Sequence, residues 1–97
     1  MTAPPAGSSC ALCARTVRLT FHHLIPRRLH RRPAFQRRYG REQLARQGVW
    51  LCRSCHDAVH QHFDEMTLGR ELNTLEALQA QPVLQRHAAW AARQRGA

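Results

Sequence analysis

The chain has 97 residues, enough for one small domain, and its 43% hydrophobic content is alanine-rich with only six aromatic side chains, so the core must be thin. Fifteen arginines, no lysine and six acidic residues give a net charge of +9, which favours a polyanionic partner. No apolar run approaches the ~20 residues of a membrane span, and no basic, amphipathic helix with a bulky apolar face suggests a membrane surface. The first residues lack the basic and apolar regions of a secretory signal, so a cytoplasmic location is expected.

Residues 1–9 are small, Pro-rich and polar, and are expected to be disordered. Cys10-Ala-Leu-Cys13 is a tight metal knuckle. Thr16 to His22 alternates weakly, with Val17, Leu19 and Phe21 opposite Arg18, Thr20 and His22, which predicts a short strand. Residues 27–46 hold eight arginines (27, 28, 31, 32, 37, 38, 41, 46) and one acid, Glu42. That segment reads as a basic loop outside the core, with a short helix at 41–46. Gly48 to Leu51 predicts a second strand entering the second knuckle, Cys52-Arg-Ser-Cys55. Ser54 to His62 predicts a helix. Thr67–Leu72 and Thr74–Ala80 predict two short helices, and Pro82 opens a last one to about Arg93. Leu75, Leu78, Val83, Leu84, Ala88 and Trp90 offer an apolar face with which these helices pack back on the core. The organisation is therefore a tail (1–9), a core (10–66) and C-terminal helices (67–97).

In a reducing compartment, Cys10, Cys13, Cys52 and Cys55 suit one structural zinc, which takes four thiolates in a closed tetrahedron. The interval from Cys13 to Cys52 is far longer than in an ordinary zinc ribbon, so the zinc staples two strands and a helix around a large loop. His22, His23, His56 and His60 remain. His56 and His60 stand at i, i+4 and share one helix face, and with a further histidine they can hold a second ion while leaving a position open. Four thiolates and two divalent cations leave the charge near +9, so the excess persists in the loaded protein. An open metal site in so basic a chain points to phosphodiester chemistry.

The strings Leu19-Thr-Phe-His-His-Leu-Ile-Pro-Arg27 and Trp50-Leu-Cys-Arg-Ser-Cys-His-Asp-Ala-Val-His60 together resemble the HNH endonucleases, in particular small members with a four-cysteine zinc. The resemblance covers residues 10–62. It implies a small α+β fold, a ββα-metal (His-Me finger) core stapled by zinc. It also implies His22, His56 and His60 as ligands of one catalytic divalent ion (Mn²⁺, Mg²⁺, Ni²⁺ or Zn²⁺), and His23 as general base. A ligand imidazole has its lone pair engaged, so the base must be a different residue. Many HNH sequences carry Asp where His22 stands, and histidine favours softer ions. The family's Asn, which orients the base, is replaced here by Gln47, a longer amide. The implied activity is low-specificity hydrolysis of double-stranded DNA to 5′-phosphate and 3′-hydroxyl ends. Arg27, Arg28, Arg31, Arg32, Arg37 and Arg38 flank the site as phosphate contacts, with Arg27 or Arg28 nearest the scissile group. His30, His62 and His87 read as surface residues. Two rival readings account for the cysteines and the charge: a noncatalytic zinc module that binds nucleic acid, and a subunit of a larger phage or defence nuclease. Oligomeric state has no signature in the sequence.

Overall fold

The computed structural model describes residues 3–95 as a small α+β fold. Strand β1 (Leu19–His23) pairs antiparallel with β2 (Gly48–Cys52), in a register that sets Leu19 opposite Cys52 and His23 opposite Gly48. A 3-10 helix (Arg27–Arg31), α1 (Pro33–Tyr39) and α2 (Arg41–Arg46) lie between the strands. Helix α3 (Arg53–His62) leaves β2 directly and packs against both strands. Helices α4 (Glu65–Glu71), α5 (Leu75–Gln79) and α6 (Pro82–Ala91) follow.

The first strand starts three residues later than the alternation predicts. The knuckle occupies the chain up to Arg15: Cys10 N–H donates to Arg15 O, Ala14 N–H donates to Cys10 O, and Ala14 turns with φ 67°. Pairing can begin only after that reversal. Both knuckles share one local device. The amide of Cys13 donates to Cys10 Sγ and the amide of Cys55 to Cys52 Sγ, each at 3.4 Å. In the second knuckle this bond also caps α3, because Cys52 is its N-cap residue. Asp64 caps α4 by accepting from Thr67 N–H at 2.7 Å, and Thr74 caps α5 by accepting from Ala77 N–H at 3.1 Å.

Two apolar clusters result. The larger one surrounds the four cysteines and takes in Leu51, Val59, Leu68, Leu72, Leu78, Leu84 and Ala91. The smaller one, Ile25, Leu29, Phe35 and Leu44 with Tyr39 and Met66 against it, corrects the expectation of a basic loop. Residues 27–46 are mostly helical because each short helix sends one large apolar side chain inward while its arginines stay exposed. The apolar face of the C-terminal helices is also revised. Leu84, Ala88 and Ala91 recur at i, i+4 and i+7 toward the core, whereas Trp90 falls off that stripe and is 49% exposed.

Gly48 fixes how closely the strands meet. A Cβ there would lie 2.1 Å from Cζ of the Phe21 ring and 2.7 Å from the His22 carbonyl oxygen. The ring and the backbone must both move to admit it. Gly48→Ala is therefore expected to lower stability by about 1–3 kcal/mol, as overpacking does. A urea unfolding midpoint equal to that of the wild type would show that β1 does not depend on this contact.

Candidate metal centres

The four cysteines come together from the two knuckles. Their sulfurs all lie within 4.8 Å of one another and every one of the residues is buried. Cys13 Sγ and Cys52 Sγ are 3.7 Å apart. Tetrahedral Zn–S bonds of ~2.3 Å place two sulfurs about 3.8 Å apart, so the spacing fits a zinc ion and excludes a disulfide. Arg15 faces the cluster, its Nη2 donating to Cys52 Sγ at 3.5 Å while Nη1 donates to Gln94 O at 3.3 Å. One guanidinium thereby offsets thiolate charge and fastens the residues after α6 to the knuckles. A hydrogen bond from Cys55, then backbone donors, bring the Cys10 thiol down to about 4. Giving that hydrogen bond and being buried push Cys55 up. Burial pushes Cys13 up as well. The four sulfurs are thus gathered where a dication could bind them.

The second centre is built by β1 and α3. Leu19, Phe21 and His23 take one face of β1; Thr20 and His22 take the other, toward α3. There His22 meets His56 and His60, with ring centroids 5.2 and 5.3 Å away and the two helix rings 5.1 Å from each other. One nitrogen from each lies within 4.8 Å of the others. His22 is fully buried, yet among the described residues neither ring nitrogen has a hydrogen-bond partner. Such a desolvated, unpaired imidazole is costly on its own and fits a metal ligand. Burial, followed by positive charge on His56 and His60, lowers its pKa to about 3. Burial and His60 likewise lower His56. All of this keeps lone pairs available at neutral pH. The set grades from buried His22 through half-buried His56 to exposed His60, so it opens toward solvent at His60.

Thr20 sets the tautomer of His56, a role the sequence reading missed. Its hydroxyl donates to Leu51 O at 3.0 Å, and its one hydrogen is then committed. The 2.8 Å contact with His56 Nδ1 therefore has Nδ1–H as donor and Thr20 Oγ1 as acceptor. His56 Nε2 is left with a lone pair for an ion, and the ring is held in place. The signal available in the sequence was the period-2 spacing of Thr20 and His22.

His23 ends β1 on the opposite face, its ring edge-on to Phe21 at 5.0 Å and 5.6 Å from the His30 ring. The structure thus separates it from the three-histidine cluster by a strand face, although its charge still lowers His22 and His56. Burial first, then His30 and Arg27, lower its own pKa and keep it neutral near pH 7. His30 is corrected from a solvated loop residue to a half-buried neighbour of His23. Its Nε2 lies 2.6 Å from Ile25 O, which accepts only, so Nε2 carries the proton. His87 is likewise not a free surface group, since its Nε2 pairs with Ser54 Oγ at 2.9 Å and joins α6 to α3. Gln47 ties the loop differently from the expected amide contact. Its main-chain carbonyl accepts from Leu24 N–H at 3.1 Å, while the side-chain Oε1 is buried without a partner.

Arg27, Arg28, Arg31, Arg32, Arg37 and Arg38 are all exposed. Arg28 pairs with Glu65 at 3.6 Å, and Arg27 is the one whose charge reaches His23. Among the described residues no helix is long and apolar enough to cross a membrane. Comparison with protein-family models, curated proteins and solved structures gives no match to this chain.

Removing the Thr20 hydroxyl should weaken divalent-ion binding at the histidine centre by roughly 10- to 100-fold in Thr20→Val, with Thr20→Ser close to the wild type. Calorimetric titration with Ni²⁺ on zinc-loaded protein reads this, and equal affinities in all three would remove Thr20 from the role. The folded-state pKa of His22 is depressed, so between about 3 and the ordinary value of 6.5 the unfolded chain binds a proton that the folded chain resists. Stability should thus fall with pH below 6.5 by on the order of 1 kcal/mol per unit, and less steeply in His22→Leu, where the depressed His56 still contributes. Urea unfolding of both proteins at pH 5.0–7.0 gives the difference; parallel curves would contradict it.

Proposed function

We propose that the protein is a metal-dependent HNH endonuclease that hydrolyses DNA phosphodiester bonds with low sequence preference. On this reading β1, β2 and α3 form a ββα-metal core and the four cysteines bind the zinc that staples it. The observation that carries the reading is His22: fully buried, with both ring nitrogens unpaired, and grouped with His56 and His60. Arg27, whose charge reaches the adjacent His23, is one of a run of exposed arginines.

A divalent ion held by His22, His56 and His60 would supply Lewis acidity at the scissile phosphate and stabilise the leaving 3′ oxygen. The protein's own groups do the rest. His23, kept neutral by burial and by the charge of nearby Arg27, takes a proton from the attacking water. His30, with Nε2–H given to Ile25 O, presents Nδ1 as an acceptor near the His23 ring. Arg27 contributes positive charge beside His23, where the phosphate would gather negative charge. Arg28, Arg31, Arg32, Arg37 and Arg38 hold the backbone without reading bases, in keeping with weak sequence preference. The expected ends are 5′-phosphate and 3′-hydroxyl.

A second reading, a zinc-stapled module that binds nucleic acid without cutting it, draws on one observation. Among the described residues, Gln47 Oε1 accepts no hydrogen bond that would tie it to His23. Supercoiled plasmid separates the two. With Mn²⁺, Mg²⁺ or Ni²⁺ the protein should nick or linearise it, EDTA should stop this, and His23→Ala should lose about 100-fold or more in rate. Retained gel-shift binding with no cleavage under any ion would establish the second reading. Cleavage unaffected by His23→Ala would assign the base elsewhere.

A further inference from the structure

Away from the histidine centre, α1 and α4 enclose a cavity of about 370 Å³ lined by Ala34, Phe35, Arg38, Tyr39, Gly69 and Arg70. Its size falls within the range of small-molecule sites, roughly 300–1,000 Å³. Its chemistry is mixed in a particular way. Phe35 and Tyr39 present rings inclined by only 19° with centroids 6.4 Å apart. Gly69 forms part of the α4 wall; a Cβ there would stand 2.4 Å from Leu29 Cδ1, so that side chain would have to shift to admit one. Two arginines border the space, and neither Arg38 nor Arg70 forms an ion pair among the described residues. Arg38 rests over the Tyr39 ring, 5.4 Å from its centroid.

Tyr39 is braced. Asn73 Nδ2 donates to Tyr39 Oη at 3.2 Å and to Gly69 O at 2.9 Å, fixing the ring against the end of α4. The phenol's own hydrogen has no acceptor among the described residues. A flat ligand with hydrogen-bond acceptors and an attached phosphate matches these groups: a π-face for Tyr39, an acceptor for its hydroxyl, and phosphate oxygens for two guanidinium groups. A simple anion would leave the aromatic wall unused, and an apolar ligand would give the two exposed arginines no partner.

We propose that this cavity is a nucleotide-binding site that takes one unstacked base of a single-stranded segment, with its phosphate between Arg38 and Arg70. The choice of polymer rests on the nucleic-acid reading above; the pocket does not depend on cleavage. It gives the protein a hold on frayed, looped or overhanging strands separate from the backbone contacts of the other arginines.

The test uses zinc-loaded, full-length protein with no other divalent ion, so binding is read whether or not the histidine centre cuts. Nine-residue thymidine oligonucleotides, intact and with one central abasic position per strand or fully abasic, are titrated by fluorescence anisotropy. The intact strand should bind about tenfold more tightly than the fully abasic strand, and Tyr39→Leu should erase that difference. Arg70→Gln should weaken both. Equal binding of intact and abasic strands by the wild type would overturn the proposal. Because Tyr39→Leu could unsettle the smaller core, amide resonances of the wild type provide an independent reading. Thymidine monophosphate should shift Tyr39, Gly69 and Arg70, and inorganic phosphate at the same concentration should not. Equal shifts with phosphate would reduce the cavity to an anion site, and no shift with either would remove it altogether. Loss of plasmid nicking alone would bear on the nuclease reading and leave this one standing.

Discussion

The four-cysteine cluster is the constraint on which the rest of this fold depends. Two short strands and six short helices among the described residues offer little apolar surface each, and isolated elements of that length are marginal in water. The cysteines supply a centre that the side-chain composition does not. They join the segment before β1 to the start of α3, and the larger apolar cluster is assembled around them. A dication bound there would contribute folding free energy directly, as in other small domains that fold around zinc. Arg15 extends the same centre to the far end of the chain through Gln94.

With that frame set, β1 need do only two things. Its register with β2 is pinned by the bare Gly48 beneath Phe21, and its period-2 alternation then divides the neighbouring histidines between two faces. His22 is driven into a desolvated position against α3, where none of the described residues hydrogen-bonds its ring nitrogens. His23 is sent to the face of Phe21, His30 and Arg27. One dipeptide so produces two imidazoles with unlike surroundings, the division that metal ligation and proton transfer would require. The proposal of phosphodiester hydrolysis is built on this division and on the arginines beside it.

Much of this was legible in the residues. The paired Cys-x-x-Cys spacing announced the cluster, and i, i+4 spacing announced the shared face of His56 and His60. Pro82 and Thr74 marked helix starts by chemistry that is local, whereas the Asp64 cap, which starts α4 two residues before the expected Thr67, went unread. What was hidden was non-local. Residues 27–46 look too polar to fold inward because their apolar residues are single and widely spaced. Leu29, Phe35 and Leu44 form a cluster only when Ile25 and the sequence-distant Met66 meet them. The same folding back brings His30 to His23, a meeting that no short-range pattern encodes. Trp90 misled for the opposite reason: a large apolar residue at the edge of a helical stripe is as compatible with exposure as with burial. Thr20 escaped notice because a threonine in a strand looks ordinary until the direction of its one hydrogen is worked out.

Helix α3 carries Cys55 and His56 side by side, and these neighbours serve different centres. Consecutive helical positions diverge by about 100°, so one rigid rod separates the two ligand sets and also locks them together. A twist or slide of that rod large enough to release one set must misplace the other. Oxidants that attack the thiols would therefore also disturb the alignment of His56 and His60 without touching an imidazole. In a chain this small, the state of its sulfur chemistry becomes the state of its nitrogen chemistry.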